Sequence, residues 1–242
     1  MTTQKSLFTS LLSGTFLLLC APIFVFISGW QWQPFTEIPL YLYPLFLISE
    51  TGTVPQVLIT CLIFAGIALL YLKLSLKKAV LCSIIICTYL GAGQVVKGTM
   101  KNIFQEGRPY VTWLQAENLI NTDDFYQLTR AQRAEFIRAQ DFSSYNLPDW
   151  QQKHWSKETG YSFPSGHTIF AAQWLLLYLL LLGRKKAYLP ITFISVWAVS
   201  MEISRMILGM HWASDVFVSS LLAAALIYPT YLYCCKWDII AR

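Results

Sequence analysis

The chain has 242 residues, of which 55% are hydrophobic and 13% charged, with a formal net charge of +5 and a mean hydropathy of +0.48. Soluble domains carry about 25% charged residues, so about half the usual polar coat is missing. This excludes a disordered chain, a basic nucleic-acid-binding domain and an ordinary cytosolic enzyme, and it leaves a polytopic membrane protein. The positive charges fall in short clusters at the ends of apolar segments, which is no footprint for a nucleic acid.

A spanning helix needs about 20 mostly apolar residues. Six stretches approach that length: 8–29, 54–72, 79–96, 168–182, 187–203 and 216–235. The first follows Lys5. Its apolar run is longer than the roughly 7–15 residues of a cleaved signal core, and no small-residue cleavage site follows cleanly, so it is expected to remain as the first span. The run 38–48 is apolar but interrupted by Pro39 and Pro44, and is expected to be re-entrant or interfacial. Lys73, Lys77 and Lys78 join spans two and three, whereas Gly183, Arg184, Lys185 and Lys186 make a tight antiparallel hairpin of spans four and five. Lys5 precedes span one, Lys236 and Arg242 follow span six, and residues 31–53 contain no Lys or Arg. The positive-inside rule then places both termini in the cytoplasm.

Segments 102–163 and 204–215 consequently lie outside. Within the long segment, 129–140 reads as a short helix and 146–149 as a turn. Residues 150–157, with Trp150, His154 and Trp155, suit a helix at the lipid–water interface. The expected fold is all-α: one integral membrane domain over 1–242, with six transmembrane helices and a small helical periplasmic cap between spans three and four. Cys20, Cys61, Cys82 and Cys87 sit inside apolar runs and Cys234 and Cys235 end the last one, so no disulfide framework is expected.

The chain has three histidines, and this topology puts all of them on the outer side. His167 follows Pro164, Ser165 and Gly166 where span four begins. His211 lies between Arg205 and Asp215, ahead of span six. Lys101 and Arg108 stand at the outer end of span three. Three remote segments thus bring polar groups to one face. Singly, each has an ordinary reading as a snorkelling cation, a helix start or a helix-end hydrogen bond; jointly they would have to coincide by accident.

Lys101, Arg108 and Arg205 offer three cations, and guanidinium groups match phosphate oxygens in bidentate fashion. Ser165, Gly166 and His167 open a helix whose first N–H groups are free to bind an anion. Two imidazoles can supply a nucleophile, with its second nitrogen tied to Asp215, and a general acid for the leaving alkoxide. No His, Cys or carboxylate cluster has metal-ligand spacing, so neither metal nor other cofactor is expected. His154 fits no cluster and reads as an interfacial or lid residue. Lys97 reads as a snorkeller beside Lys101. Glu202, costly inside a span, is expected to pair with Arg205.

The set Lys101, Arg108, Pro109; Pro164, Ser165, Gly166, His167; and Ser204, Arg205, His211, Asp215 resembles the three-part signature of the type 2 phosphatidic acid phosphatase family. Residues 28–34, 154–160 and 208–212 are similar to the phosphatidylglycerophosphatase branch of that family. The resemblance implies a six-helix, metal-independent enzyme of the bacterial inner membrane with its site at the periplasmic face. It implies that His211 is the nucleophile forming a phosphohistidine, Asp215 its orienting partner and His167 the general acid, with Lys101, Arg108, Ser165, Gly166 and Arg205 around the phosphate. The implied substrates are phosphatidylglycerol phosphate, phosphatidate, lysophosphatidate and undecaprenyl diphosphate, with no obligatory protein partner. Two alternatives stand beside it: chiefly a phosphatase of the polyprenyl carrier diphosphate, or an anionic lipid transporter. Transporter sites usually lie near the bilayer midplane, whereas these residues gather at one end of the spans.

Overall fold

The computed structural model describes residues 2–185, 187–237 and 239. Lys186 and Arg242, which contribute to the orientation above, lie outside the described residues. Among the described residues the chain is helical throughout: α1 (Thr2–Ser28), α2 (Leu42–Glu50), α3 (Gln56–Leu72), α4 (Leu76–Phe104), α5 (Pro109–Ala116), α6 (Thr122–Gln127), α7 (Arg130–Ala139), α8 (Asp149–Lys157), α9 (Gly166–Leu182), α10 (Tyr188–Ile207) and α11 (Ala213–Lys236). Helices occupy all six expected positions. Four of them, α1, α4, α9 and α11, are both long and apolar enough to cross a membrane. The structure therefore carries four clear candidates where the sequence suggested six. At 17 residues α3 is shorter, and α10 carries the buried Glu202 and Arg205 near its C-terminal end.

Helix α9 is the axis of the bundle. It is apolar on every side and buried along nearly its whole length, as a helix without a polar face must be. Helices α1, α3, α4, α10 and α11 pack around it. Their outward faces keep large apolar side chains exposed, including Phe16 and Phe24 on α1 and Leu58 and Leu62 on α3. A soluble surface does not carry so continuous an apolar face. A bilayer solvates it.

A second, aromatic core lies beyond one end of the bundle. Trp32, Tyr110, Phe125, Ile137 and Trp155 are buried together, with the rings of Tyr110 and Trp155 stacked at 4.7 Å. Two indole N–H groups pin it to the C-terminal end of α10: Trp155 Nε1 donates to the Leu208 carbonyl (3.0 Å) and Trp32 Nε1 to that of Ile207 (2.7 Å). Gly209 completes the joint with φ +72°, and a Cβ there would come 2.6 Å from the Trp32 ring. Both conditions exclude a side chain.

The helix expected at 129–140 is α7, opened by a capping box in which Thr129 and Gln132 exchange hydrogen bonds. The segment 38–48 contributes to α2, where Pro44 sits in the first turn and its missing N–H costs no intrahelical bond. Helix α8 departs from expectation. Gln151, His154, Trp155 and Ser156 are buried in protein, so α8 packs inward rather than lying with its aromatic face toward lipid. The six cysteines are all free.

Candidate active site

Three helix ends meet beneath the aromatic core: the C-terminal end of α4, the N-terminal end of α9 and the α10–α11 turn. There they line a cavity of about 760 Å³ with Lys97, Lys101, Arg108, Gly166, His167 and His211. Deeper along the helices the lining becomes apolar, with Val57 and Cys61 from α3, Leu90 from α4 and Phe170 from α9. Lys101, Arg108, Gly166, His167 and His211 stand at or beside helix termini, where unpaired backbone groups and charge are tolerated, and Lys97 reaches the same end of the cavity with a long side chain.

His211 is fixed from two sides. Its backbone N–H and that of Met210 donate to the Arg205 carbonyl (3.0 and 3.1 Å). Its ring Nδ1–H donates to Asp215 Oδ2 (3.1 Å), which also accepts the Trp212 N–H (3.0 Å). Burial, reinforced by Arg108, Arg205, Lys101 and His167, pushes the His211 ring well below the ordinary histidine range. At neutral pH the ring is thus uncharged and Nε2 holds a lone pair facing the cavity, the arrangement of an activated nucleophile.

Ser165 caps α9: its Oγ accepts the Thr168 N–H (3.3 Å) and hydroxyl (2.9 Å), and its own N–H donates to Ser219 Oγ (2.9 Å). Its side chain thus faces the helix, while Gly166 and His167 line the cavity. A Cβ on Gly166 would come 2.5 Å from Lys97 Cδ, so the absent side chain lets that lysine lie across the α9 terminus. Lys97 Nζ donates to Gln94 Oε1 (2.6 Å). It lines the cavity instead of reaching away from it toward the membrane surface. Lys101 Nζ donates to the carbonyls of Tyr161 and Ser162. Arg108 Nε donates to Gly160 O (2.7 Å), and its NH1 to Met210 O (3.2 Å).

Arg205 is wholly buried, and its partners differ from the expected one. Glu202 accepts from Ser220 Oγ (2.6 Å), across to α11. Arg205 instead pairs with Glu158, NH2 to Oε2 at 2.7 Å, and donates from NH1 to Ser49 Oγ and to His154 Nε2 (3.3 Å). Because arginine only donates, His154 Nε2 must accept, which leaves Nδ1–H to donate to Glu50 Oε1 (3.1 Å). His154 is therefore a buried strut between α2 and α10, in place of the interfacial or lid residue expected. Arg205 Nε finds no acceptor among the described residues, and Arg205 stands behind the cavity wall, not among the residues that line it.

Four further residues at the site lie outside the three-part signature. Glu158 touches Arg205, lies 3.4 Å from Arg108 NH1, and its Oε1 is 3.7 Å from His167 Nε2. Burial pushes its carboxyl up, but Arg205, His167, Arg108 and His154 outweigh that and hold it well below the usual carboxylate range. Thr53 Oγ1 stands 3.1 Å from His167 Nε2. Gly52 passes so close that a Cβ would meet His167 Cδ2 at 2.6 Å. Glu50 anchors His154. The signal for Glu158 was its place in the segment 154–160, an acid within reach of the cationic cluster. Gly52 and Thr53 gave none.

Residues 82–238 match the model of the PAP2 superfamily. The chain is also 42% identical over 214 residues to phosphatidylglycerophosphatase B of Escherichia coli (strain K12), covering 88% of this chain and 84% of that protein. It is 39% identical over 216 residues to phosphatidylglycerophosphatase B of Haemophilus influenzae, covering 86% and 88%. Every residue of the three-part signature from Lys101 to Asp215 lies inside the matched stretch. The chain belongs to the PAP2 superfamily.

Proposed function

We propose that the protein is a membrane lipid phosphatase that removes the terminal phosphate of phosphatidylglycerol phosphate, and also of phosphatidate, lysophosphatidate and undecaprenyl diphosphate. One observation carries the reading: a single cavity joins Lys97, Lys101, Arg108, His167 and His211 at one end to an apolar lining between α3, α4 and α9 at the other. A phosphate fits the first part and acyl chains the second. The relatives' name, phosphatidylglycerophosphatase B, supports phosphatidylglycerol phosphate as the leading substrate.

In the proposed cycle, Lys101, Arg108, Arg205 and the α9 terminus at Ser165 and Gly166 hold the phosphoryl oxygens. His211 Nε2 forms a bond to phosphorus while the bond to the lipid oxygen breaks and its electron pair stays on that oxygen. His167 Nε2 gives this oxygen its proton. Water then attacks the phosphohistidine, passing a proton to the now neutral His167. The N–P bond breaks, phosphate leaves and the His211 lone pair is restored, with Asp215 opposing the positive charge on the ring throughout. Phosphate monoester hydrolysis demands the largest accelerations known, up to ~10²¹-fold, and a general acid contributes only about 10²–10⁴ of this. The preorganised cations must supply most of the remainder. They stand where a divalent ion works in other phosphatases, so the reaction is metal-independent. Both termini are cytoplasmic and the cavity opens at the periplasmic face of the inner membrane, under the cap.

Purified protein in detergent is expected to release inorganic phosphate from phosphatidylglycerol phosphate at the same rate with and without excess chelator. Relative kcat/KM across the four lipids then ranks the substrates. Failure to release phosphate from any of them, or strict dependence on added Mg²⁺, would contradict the proposal.

A further inference from the structure

A general acid must hold a proton when the substrate arrives, and His167 is poorly placed to do so unaided. Arg205 faces it from α10, Arg108 from the start of α5, His154 from α8, and Lys97 and Lys101 from α4, with His211 across the cavity. Thr53, on the turn before α3, is uncharged. The described residues lining the cavity include five cations, Lys97, Lys101, Arg108, Arg130 and Lys157, against one acid, Glu158. Burial and the surrounding arginines and lysines therefore oppose a proton on the imidazole, while the neutral rings of His154 and His211 add no charge.

Glu158 supplies the opposite sign at the right atom. Its Oε1 is 3.7 Å from His167 Nε2 and has no hydrogen-bond partner among the described residues, whereas Oε2 is held by Arg205 at 2.7 Å. One oxygen thus anchors the carboxylate, and the other lies between His167 Nε2 and His154 Nε2 (3.8 Å), of which the second accepts from Arg205 and carries no proton toward it. We infer that Glu158 is a positioning residue for the general acid: its Oε1 stabilises the protonated His167 ring that donates to the departing lipid oxygen. The inference rests on the proposed role of His167. No bond to Glu158 forms or breaks. The proton moves from His167 Nε2 to the alkoxide and is replaced from the attacking water.

The test exploits what a general acid is for. An alkyl alcohol leaves as a strongly basic alkoxide and needs the proton, whereas 4-nitrophenolate leaves without one. Glu158→Gln in the full-length protein is expected to lower kcat on lysophosphatidate about 10²-fold, the low end of general-acid contributions. On a 4-nitrophenyl phosphate carrying an alkyl tail, the expected loss is less than about 3-fold. The limb of the alkyl-substrate pH–rate profile where activity falls with rising pH is expected to move down by about 1–2 units, because the proton leaves His167 more readily without the carboxylate. Orthovanadate binding at least as tight as in the wild type checks that the cradle is intact. Should Glu158→Gln unfold, Glu158→Asp, which draws the carboxylate back by one methylene, is expected to give the same selectivity in weaker form. Equal losses on both substrates, or none on either, would overturn the inference. A His167→Asn enzyme indifferent to the leaving group would instead overturn the assignment of His167 on which it rests.

Discussion

Replacing His211 with alanine is expected to lower the rate of phosphate release from lipid phosphates by about 10⁴-fold or more, the scale seen when a covalent nucleophile is removed. The imidazole is a neutral nitrogen group in the cavity whose second nitrogen is tied to a carboxylate, through Nδ1 to Asp215 at 3.1 Å, and among the described residues lining the cavity no other side chain combines a free lone pair with such a tie. The variant is expected to stay folded. Asp215 Oδ2 keeps the Trp212 N–H, so the lost hydrogen bond costs about 1–3 kcal/mol, and the cradle still binds phosphate. Steady-state assays in detergent check this directly, and turnover within about tenfold of the wild type would remove His211 as the attacking group.

Arg205 is expected to give the second large effect, and of a different kind. Its guanidinium is wholly buried and holds Glu158, Ser49 and His154 at once, so Arg205→Leu leaves an acid in the interior without its nearest partner. Breaking a buried pair from one side costs about 3–5 kcal/mol. A fall of that size in stability is expected with a loss of about 10³-fold in kcat/KM. Arg205→Lys separates the two consequences. It keeps one positive charge and most of the fold, but a single ammonium cannot serve three partners and a phosphate, so about 10²-fold of kcat/KM is still lost. Thermal unfolding measured beside kcat/KM for both variants decides the point; a lysine enzyme of near wild-type efficiency would show that charge alone suffices.

The legible parts of the molecule are those whose signal is local. The apolar run of α9 and the cationic ends of α4 and α10 announce themselves within a few residues. So do the Ser165 cap and the spacing of His211 from Asp215, and the site follows once hydropathy puts these segments on one face. Residues 49–53 were not legible. Their positions gain meaning only because α2 folds back on α10, which sets Ser49 on Arg205, Glu50 on His154 and Thr53 on His167. Proximity in sequence also misled. Glu202 stands three residues from Arg205, yet the guanidinium turns toward Glu158, 47 residues away. Arg205 reaches to α2, α8 and the segment after α8, whereas Glu202 points to Ser220 on α11. His154 likewise read as an interface residue because its neighbours Trp150 and Trp155 are aromatic. In the fold Trp155 enters the aromatic core and carries His154 inward with it.

The most direct test is to catch the phosphorylated protein. Mixing the enzyme with phosphatidylglycerol phosphate labelled in its terminal phosphate, quenching within one turnover and working up in alkali, which preserves phosphohistidine, is expected to yield label on the peptide containing His211. That label should appear and decay at rates that account for turnover. Label on any other residue, or turnover in one step with inversion at phosphorus and no labelled protein, would contradict the account.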